Sequence, residues 1–445
     1  MMLGESPGKE EDARGRVFVG KTGQEVNGYY LPIAGLQRSE VYMTNVVKCR
    51  TGNQSPKPEE AAVCSRYWLP REIEKVRPEI IVAMGGIAAG VVRGIDGSDS
   101  RSNHNGDSPW SERLDLECHH GFPLLARVYQ WQGTVLPTYH PAAGLHKTEL
   151  MVQLREDFEG LKRVLKGELV GPPKDEYPDP EYKEIKTRGE LDEAFDSWWG
   201  SRLMAKDTES HGGEPWSVQF STSPGSAGFI NIDCRQVLAH FQSKLMKRSW
   251  ARWAYHNQMY DRPIEEKLGI VAPDDSRVVD TMMLAYHIGG LPQGLKPLAF
   301  RLLGKRMRSY EEVTGPYARA AQLEYLAEAV ELGKRLPEPE QEMIVTKKGT
   351  YQMGRKLGIG KKMERALEDA LGDEDVSVVD RWEEWRERER GEVEGLMGRG
   401  MPRASLALVP RREAVRYACD DAEATLRLVE VLEERAKRVG MDVRG

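Results

Sequence analysis

Asp207 and Glu209 lie two residues apart in RLMAKDTES, a stretch with the apolar content of a strand. Side chains alternate along a strand, so both carboxylates leave from one face, and that arrangement invites a divalent metal. Downstream, AYHNQMYD places Asp261 four residues after Asn257, and RYACDDAEATLRL places Tyr417 and Asp421 one helical turn apart. Asp420 points off the Tyr417 face, which favours Asp421. The first half of the chain offers different chemistry: Glu5 and Glu11 beside Gly4 and Gly8, Phe18 inside GRVFVGKT, Asn45 in VYMTNVVKC, and His140 ahead of a proline in LPTYHPAAGL. Taken singly, each has a plain structural reading. A Phe between valines suits a core, an Asn near a strand suits a turn, and Asp-Thr-Glu suits a turn or helix N-cap.

GRVFVGKT also matches the phosphate-loop pattern G-x-x-x-x-G-K-[ST] letter for letter. The context argues against that function. A phosphate loop follows a buried strand, uses small residues so that backbone N–H groups wrap the phosphates, and opens a helix at its Lys-Thr. Here the charged KEEDAR precedes Gly15, four bulky residues fill the loop, and Gly23 weakens the expected helix. The acids Glu10, Glu11 and Asp12 would repel a triphosphate.

Elements that must position these residues are legible in outline. VYMTNVVKC, PEIIVAMGG and GTVLPTYHP read as strands, and KPEEAAVCSRYWLPREIEKV as a helix, an alternation that suggests an α/β sandwich around a mostly parallel sheet. GELVGPPKDEYPDPE reads as a linker over 168–182. The strand candidates RLMAKDTES, WSVQFST, GFINIDC and SWARWAYHN then open a second α/β domain over 183–437. A charged, helix-favouring excursion over about 328–405 interrupts it. With 445 residues, 40% of them hydrophobic, the chain can bury two cores. Its net charge of -6 argues against non-specific coating of nucleic acid, without excluding a local basic groove. Five scattered cysteines do not form a secreted disulfide framework, so a reducing cytoplasm is expected, and no apolar run is long enough for a membrane span.

GESPGKEEDARGRVFVGKTGQ, VYMTNVVKCRTGN and LPTYHPAAGL, in that order, resemble the motifs of family-four uracil-DNA glycosylases. The resemblance covers about residues 1–167 and implies a glycosylase-like α/β/α sandwich. It implies that Phe18 stacks on a flipped uracil, that Asn45 reads the uracil edge, that His140 donates to O2, and that Glu5 and Glu11 position the attacking water. Gly4 and Gly8 would let backbone approach the sugar and phosphate. Val17 stands where the family has proline. The family also holds a four-iron, four-sulfur cluster on four cysteines. Cys49 and Cys64 match its later pair, and the earlier pair has no counterpart, so the start is expected to be truncated or the cluster lost.

The series Asp207-x-Glu209, Asn257-x3-Asp261, Tyr417-x3-Asp421, together with DTMMLAYHIGGLPQGLKPLAFRLLGKRMRSYEEV, resembles the proofreading 3′–5′ exonuclease domain of family A DNA polymerases. This implies a ribonuclease H-like fold, with Asp207, Glu209, Asp261 and Asp421 holding two Mg²⁺ or Mn²⁺ ions, Tyr417 orienting the water and Asn257 contacting substrate. The expected partners are single-stranded 3′ ends, uracil-containing DNA and a DNA polymerase, the order of domains resembling the front of a bacterial or bacteriophage polymerase. A second expectation of another class is that the first domain is a non-catalytic DNA sensor and only the exonuclease turns over.

Overall fold

The computed structural model describes residues 1–52, 54–93, 116–147, 149–168, 170–197, 201–211, 214–247, 251–271, 273–334 and 404–441. In the first half, strands β1 (Met2–Gly4), β2 (Met43–Asn45), β3 (Ile80–Met84), β4 (Leu124–Val128) and β5 (Trp131–Thr138) form a sheet in the order β2-β1-β3-β5-β4. All pairings are parallel except β4 with β5. A parallel sheet is covered on both faces, and its strands therefore read as continuous apolar runs such as IIVAM. The alternation shows it. Leu3, Ile81, Ala83 and Val135 face one core with Leu69 and Ile73, while Met2, Val82, Met84 and Leu136 face another with Tyr30, Leu154 and Phe158.

The covering helices are α1 (Lys9–Arg14), α2 (Lys21–Glu25), α3 (Leu31–Ile33), α4 (Pro58–Val76), α5 (Gly86–Arg93), α6 (Leu116–His119), α7 (Pro141–His146) and α8 (Glu149–Leu165). The expected sandwich and its long helix are present. Strand β1 was not foreseen, because its three residues sit inside what reads as a glycine-rich motif. Nor was β4, whose LLARV pairs back onto β5 through a tight turn at Tyr129 and Gln130.

The second sheet has the order β11-β10-β7-β8-β9-β6, built from β6 (Glu181–Glu184), β7 (Leu203–His211), β8 (Glu214–Ser223), β9 (Ser226–Asn231), β10 (Arg252–Tyr255) and β11 (Val278–Asp280). Strands β7, β8 and β9 run antiparallel in sequence, and β10 and β11 continue parallel to β7. This is the expected ribonuclease H-like order, extended by β6. Helices α9 (Arg188–Ser197) and α10 (Arg235–Lys247) cover one face through Phe195 and Phe241, which pack with Phe220 and Trp253. α11 (Gln258–Lys267), α12 (Thr281–Ile288), α13 (Leu295–Leu303), α14 (Tyr310–Lys334) and α15 (Arg411–Arg438) complete the domain. The 28-residue α15 covers the other face, packing Leu426 and Val429 on Ala205 and Ala254.

Two features of chain organisation differ from the sequence reading. The end of the 168–182 segment is not linker, since Glu181 and Tyr182 enter the sheet as β6, and Asp175 within it pairs with Arg427 of α15 at 2.9 Å. α14 reaches Lys334, into the charged excursion, of which residues 335–403 lie outside the described part. The domains touch where Arg301 of α13 donates to the His120 carbonyl at 2.7 Å and lies over the Phe122 ring. Among the described residues no helix is long and apolar enough to cross a membrane.

Candidate active sites

β1, β2, β3 and β5 are parallel, so their C-terminal ends share one edge of the first sheet, the edge where open α/β sheets form ligand crevices. Gly4 ends β1 opposite Asn45, which ends β2. A Cβ on Gly4 would stand 2.6 Å from Asn45 Oδ1 and 2.8 Å from Phe18 Cζ, so this glycine brings amide, ring and strand end together. Lys48 holds Asn45 from behind: its Nζ donates to the Asn45 carbonyl at 2.8 Å, to Thr44 Oγ1, and to both oxygens of Glu72.

Phe18 is buried in left-handed backbone with φ of 55°, a conformation that costs a bulky residue of order 1–3 kcal/mol and persists where its surroundings enforce it. Glu11 does the enforcing. Its Oε1 accepts the backbone N–H groups of Val19 at 3.1 Å and Gly20 at 2.8 Å, while Gly8 leaves room for the carboxylate. Asn27 Nδ2 donates to the Phe18 carbonyl, and a Cβ on Gly23 would overlap that carbonyl. One sequence expectation is corrected here, and two expected site residues are found in structural roles. A helix does begin at Lys21 despite Gly23, and the anion seat at its start is filled by the chain's own Glu11, so GRVFVGKT has no phosphate seat left. Glu11, expected beside the attacking water, is engaged as the clamp of the Phe18 loop. Gly8, expected to admit backbone to the phosphate, makes room for that clamp.

His140 follows β5 as the N-cap of α7, and its Nδ1 accepts the Ala142 N–H at 3.2 Å. That bond places the remaining proton on Nε2. Burial lowers the imidazole pKa to about 4, so the ring is neutral and Nε2 is a donor across the physiological range. Gly85, with φ of +91°, lets the ring approach the end of β3. Behind it, buried Asp157 accepts from Thr138 Oγ1 at 2.6 Å and lies 2.7 Å from His120 Nδ1, fixing the end of β5. Neither Lys48 nor Asp157 was found from the sequence, since lone charged residues on helices and strand ends carry no pattern. Cys64 lies on α4, where its Sγ accepts the Lys48 N–H at 3.3 Å, so the chain segment that carries Cys49 passes beside it. Of the five cysteines only Cys49, Cys64 and Cys118 belong to the first domain, so its residues do not themselves fit a four-iron cluster, which needs four thiolates.

In the second domain, Asp207 and Glu209 leave β7 toward Asp421 of α15, and ligand oxygens from all three lie within 4.8 Å of one another. Burial first and mutual repulsion second raise their carboxyl pKa values, Glu209 to about 8. Asp421 Oδ1 is buried with no hydrogen-bond partner. Hard oxygen donors, one of them orphaned, fit Mg²⁺ or Mn²⁺. Asp261, expected as the fourth ligand, stands beside this group rather than in it: its Oδ1 accepts the Thr208 N–H at 2.9 Å and Thr208 Oγ1 at 2.7 Å. One turn on, Glu265 of the same helix pairs with buried Lys206 at 2.6 Å, so α11 is docked on β7 by two carboxylates.

Asn257 has left-handed backbone (φ 71°) at the start of α11, and Asp280 holds this turn by accepting its N–H and that of Gln258. Tyr417 is on the Asp421 face of α15. Its hydroxyl accepts a hydrogen bond from Lys296 Nζ of α13 at 3.0 Å, a residue that the motif spacing gave no reason to select. Asp420 binds Tyr182 and Lys305 instead, which accounts for the choice of Asp421.

Comparison with known proteins bears on the first domain. Residues 1–161 match the model of the uracil DNA glycosylase superfamily. The chain is 33% identical over 171 residues to a type-4 uracil-DNA glycosylase of Saccharolobus solfataricus, covering 37% of this chain and 70% of that protein. It is 35% identical over 173 residues to one from Thermotoga maritima, covering 38% and 78%. Among solved structures, it is similar to the catalytic core of RRP6 from Trypanosoma brucei (14% identity, TM-score 0.32, 61% of this chain and 51% of that one). It is also similar to RNase D of the same organism (15%, TM-score 0.27, 60% and 67%).

Proposed function

Because the chain belongs, through residues 1–161, to the uracil-DNA glycosylase superfamily, we propose that its first domain takes a uracil flipped out of DNA and cleaves the bond between base and sugar. The observation that carries this reading is the strained, clamped Phe18 against Asn45 at the end of β1. Phe18 stacks on the base. Asn45, buried, accepts from N3–H and donates to O4, whereas cytosine presents the opposite pattern and leaves the amide unpaired. Neutral His140 donates through Nε2 to O2 as negative charge develops on the departing base. Water adds to the sugar carbon, and its proton leaves to solvent or base. With Glu11 engaged by backbone, Glu5 is the carboxylate that positions this water.

We further propose that the second domain removes nucleotides from 3′ ends by metal-dependent phosphodiester hydrolysis. Asp207, Glu209 and Asp421 would hold the ions, which supply hydroxide and neutralise the leaving oxygen. Asp261 fixes β7 through Thr208 and shapes the same site. Lys296 occupies a lone pair of the Tyr417 oxygen, leaving the O–H to orient water. Asn257 contacts the substrate strand, and a DNA polymerase is the partner that would present the 3′ end.

Both readings are tested on the full chain. Uracil release from labelled DNA is expected from the wild type and lost in Asn45→Ala. Metal-dependent shortening from the 3′ end is expected from the wild type and lost in Asp207→Ala, and shortening that persists in that variant refutes the assignment. The engagement of Glu11 favours one second reading, a first domain that binds uracil without excising it; selective binding of uracil-containing DNA with no base released would establish that instead.

A further inference from the structure

Four non-glycine residues among those described have left-handed backbone: Phe18, Arg77, Tyr129 and Asn257. Such strain collects at functional sites. Phe18 and Asn257 belong to the two sites above, whereas Arg77 and Tyr129 line a third place, a cavity of about 800 Å³ between the end of α4 and the β4–β5 turn. Arg77 caps α4 with φ of 47°, a position that glycine ordinarily fills. Tyr129 has φ of 56° in the two-residue turn, where Asn-Gly is the usual choice. Its hydroxyl is buried and lacks a hydrogen bond of normal geometry, although Ser65 stands near.

The lining has the chemistry of a strand-binding groove. Arg66, Arg71 and Arg77 face one acid, Glu74. Among the described residues neither Arg66 nor Arg77 has an ion-pair partner, and Arg71 lies 4.1 Å over the Tyr67 ring. The Trp131 indole is held by its N–H to the Pro78 carbonyl at 2.8 Å, so its ring orientation is set beforehand. Guanidinium groups interleaved with fixed aromatic rings bind single strands by phosphate contact and base stacking. The charges are local, on a chain whose net charge is -6. Trp131 begins β5 and His140 follows its end, so at ~3.3 Å per residue the cavity lies roughly 25 Å from the candidate uracil site, at the opposite edge of the sheet.

We propose that this cavity is a second nucleic-acid contact, holding single-stranded DNA outside both active sites. It is independent of whether either site turns over. The test is fluorescence anisotropy of a labelled, uracil-free thymidine 15-mer on the full chain in EDTA, titrated at several salt concentrations. The double variant Arg66→Ser/Arg77→Gly is chosen because glycine relieves the left-handed strain, so its melting temperature should not fall. Binding is expected to weaken ~10-fold and the slope of log K against log salt to drop by about 1.4, from two lost phosphate contacts at ~0.7 each. Trp131→Leu, which keeps an apolar side chain against the core, is expected to weaken binding at least ~5-fold, the low end of one lost stacking contact. Unchanged affinity and slope in the double variant overturn the proposal. So does heparin binding as tightly as the oligonucleotide with Trp131→Leu harmless, or thymidine monophosphate binding as tightly as the 15-mer. Uracil release and 3′ shortening on the same samples show separately whether the active sites work.

Discussion

In the first domain, Oε1 of half-buried Glu11 and the imidazole nitrogen of His140 are answered by backbone N–H groups; in the second, Asp207, Glu209 and Asp421 are turned on one another. Residue content alone does not set this difference, since carboxylates occur in both sites. It follows from which elements deliver them. Loop and helix starts bring N–H donors, which neutralise a carboxylate or fix a tautomer. Asp207 and Glu209 leave a strand and Asp421 a long helix, elements whose N–H groups mostly serve their own ladders, and the Thr208 N–H that β7 leaves free between the first two is taken by Asp261. On the readings proposed above, the first site is prepared for a neutral base, and the second would be completed by cations.

Glu209→Gln breaks the comparison most sharply. It removes a ligand and one of the repelling charges, so 3′ shortening is expected to fall on the order of 10³-fold, while the metal-free protein becomes more stable at pH 8. The sign follows from the raised pKa values of Glu209, to about 8, and Asp421, to about 6. In the metal-free state these groups bind protons in the folded chain that the unfolded chain has released. Their contribution is therefore present at low pH and lost as pH rises through the folded values. Melting temperature in EDTA is expected to decline between about pH 5 and 8, less steeply in Glu209→Gln, and the divalent ion should restore it. A metal-free melting temperature that is flat in pH, or lowered by Glu209→Gln, would refute the electrostatic account.

The first site predicts the opposite behaviour. His140→Ala is expected to slow uracil release about 10²–10³-fold through loss of one aligned donor. Because burial depresses His140 to about 4, the neutral donor persists across the usual working range, and its contribution to stability, full above the ordinary value of 6.5, is lost progressively as pH falls from there to about 4. Uracil release is thus expected to show no acid limb near pH 6.5 attributable to this residue. A limb there that disappears in His140→Ala would mean that the imidazolium does the work.

The two sites also differed in how far they could be read from residues. Asp207, Glu209 and Asp421 were legible because strand and helix periods determine which side chains share a face, and those periods survive in the sequence. Asp261 has the same spacing signal, yet a Thr208 hydroxyl one strand position away takes its carboxylate, a contact that no period encodes. The first site was reached through motif order. The role of Glu11 was missed because a helix start only nine residues further on folds back to meet it. Lys296 and Asp157 act across the fold, where sequence distance carries no information, and Lys48, three residues from Asn45, is turned back onto it by a loop that no periodicity marks. The strands β1, β4, β6 and β11 were too short, or too charged, to stand out from turns.

The smallest expected effect tests whether the two sites are independent. α13 touches both domains: Lys296 donates to Tyr417, and five residues later Arg301 donates to the His120 carbonyl, with His120 bound to the Asp157 that fixes the end of β5. Packing of Leu298, Ala299 and Leu302 against Ala424 and Leu428 of α15 anchors the helix whether or not the first domain is docked. Arg301→Ala is therefore expected to cost about 1–3 kcal/mol, the price of leaving buried carbonyl groups without their donor, and to leave both activities within about twofold. Chemical denaturation followed at domain-specific probes should show the two unfolding transitions moving apart. A larger fall in 3′ shortening, with melting temperature little changed, would show instead that docking of the first domain sets the position of Lys296, and the contrast between a self-sufficient site and a cation-dependent one would become a linkage between them.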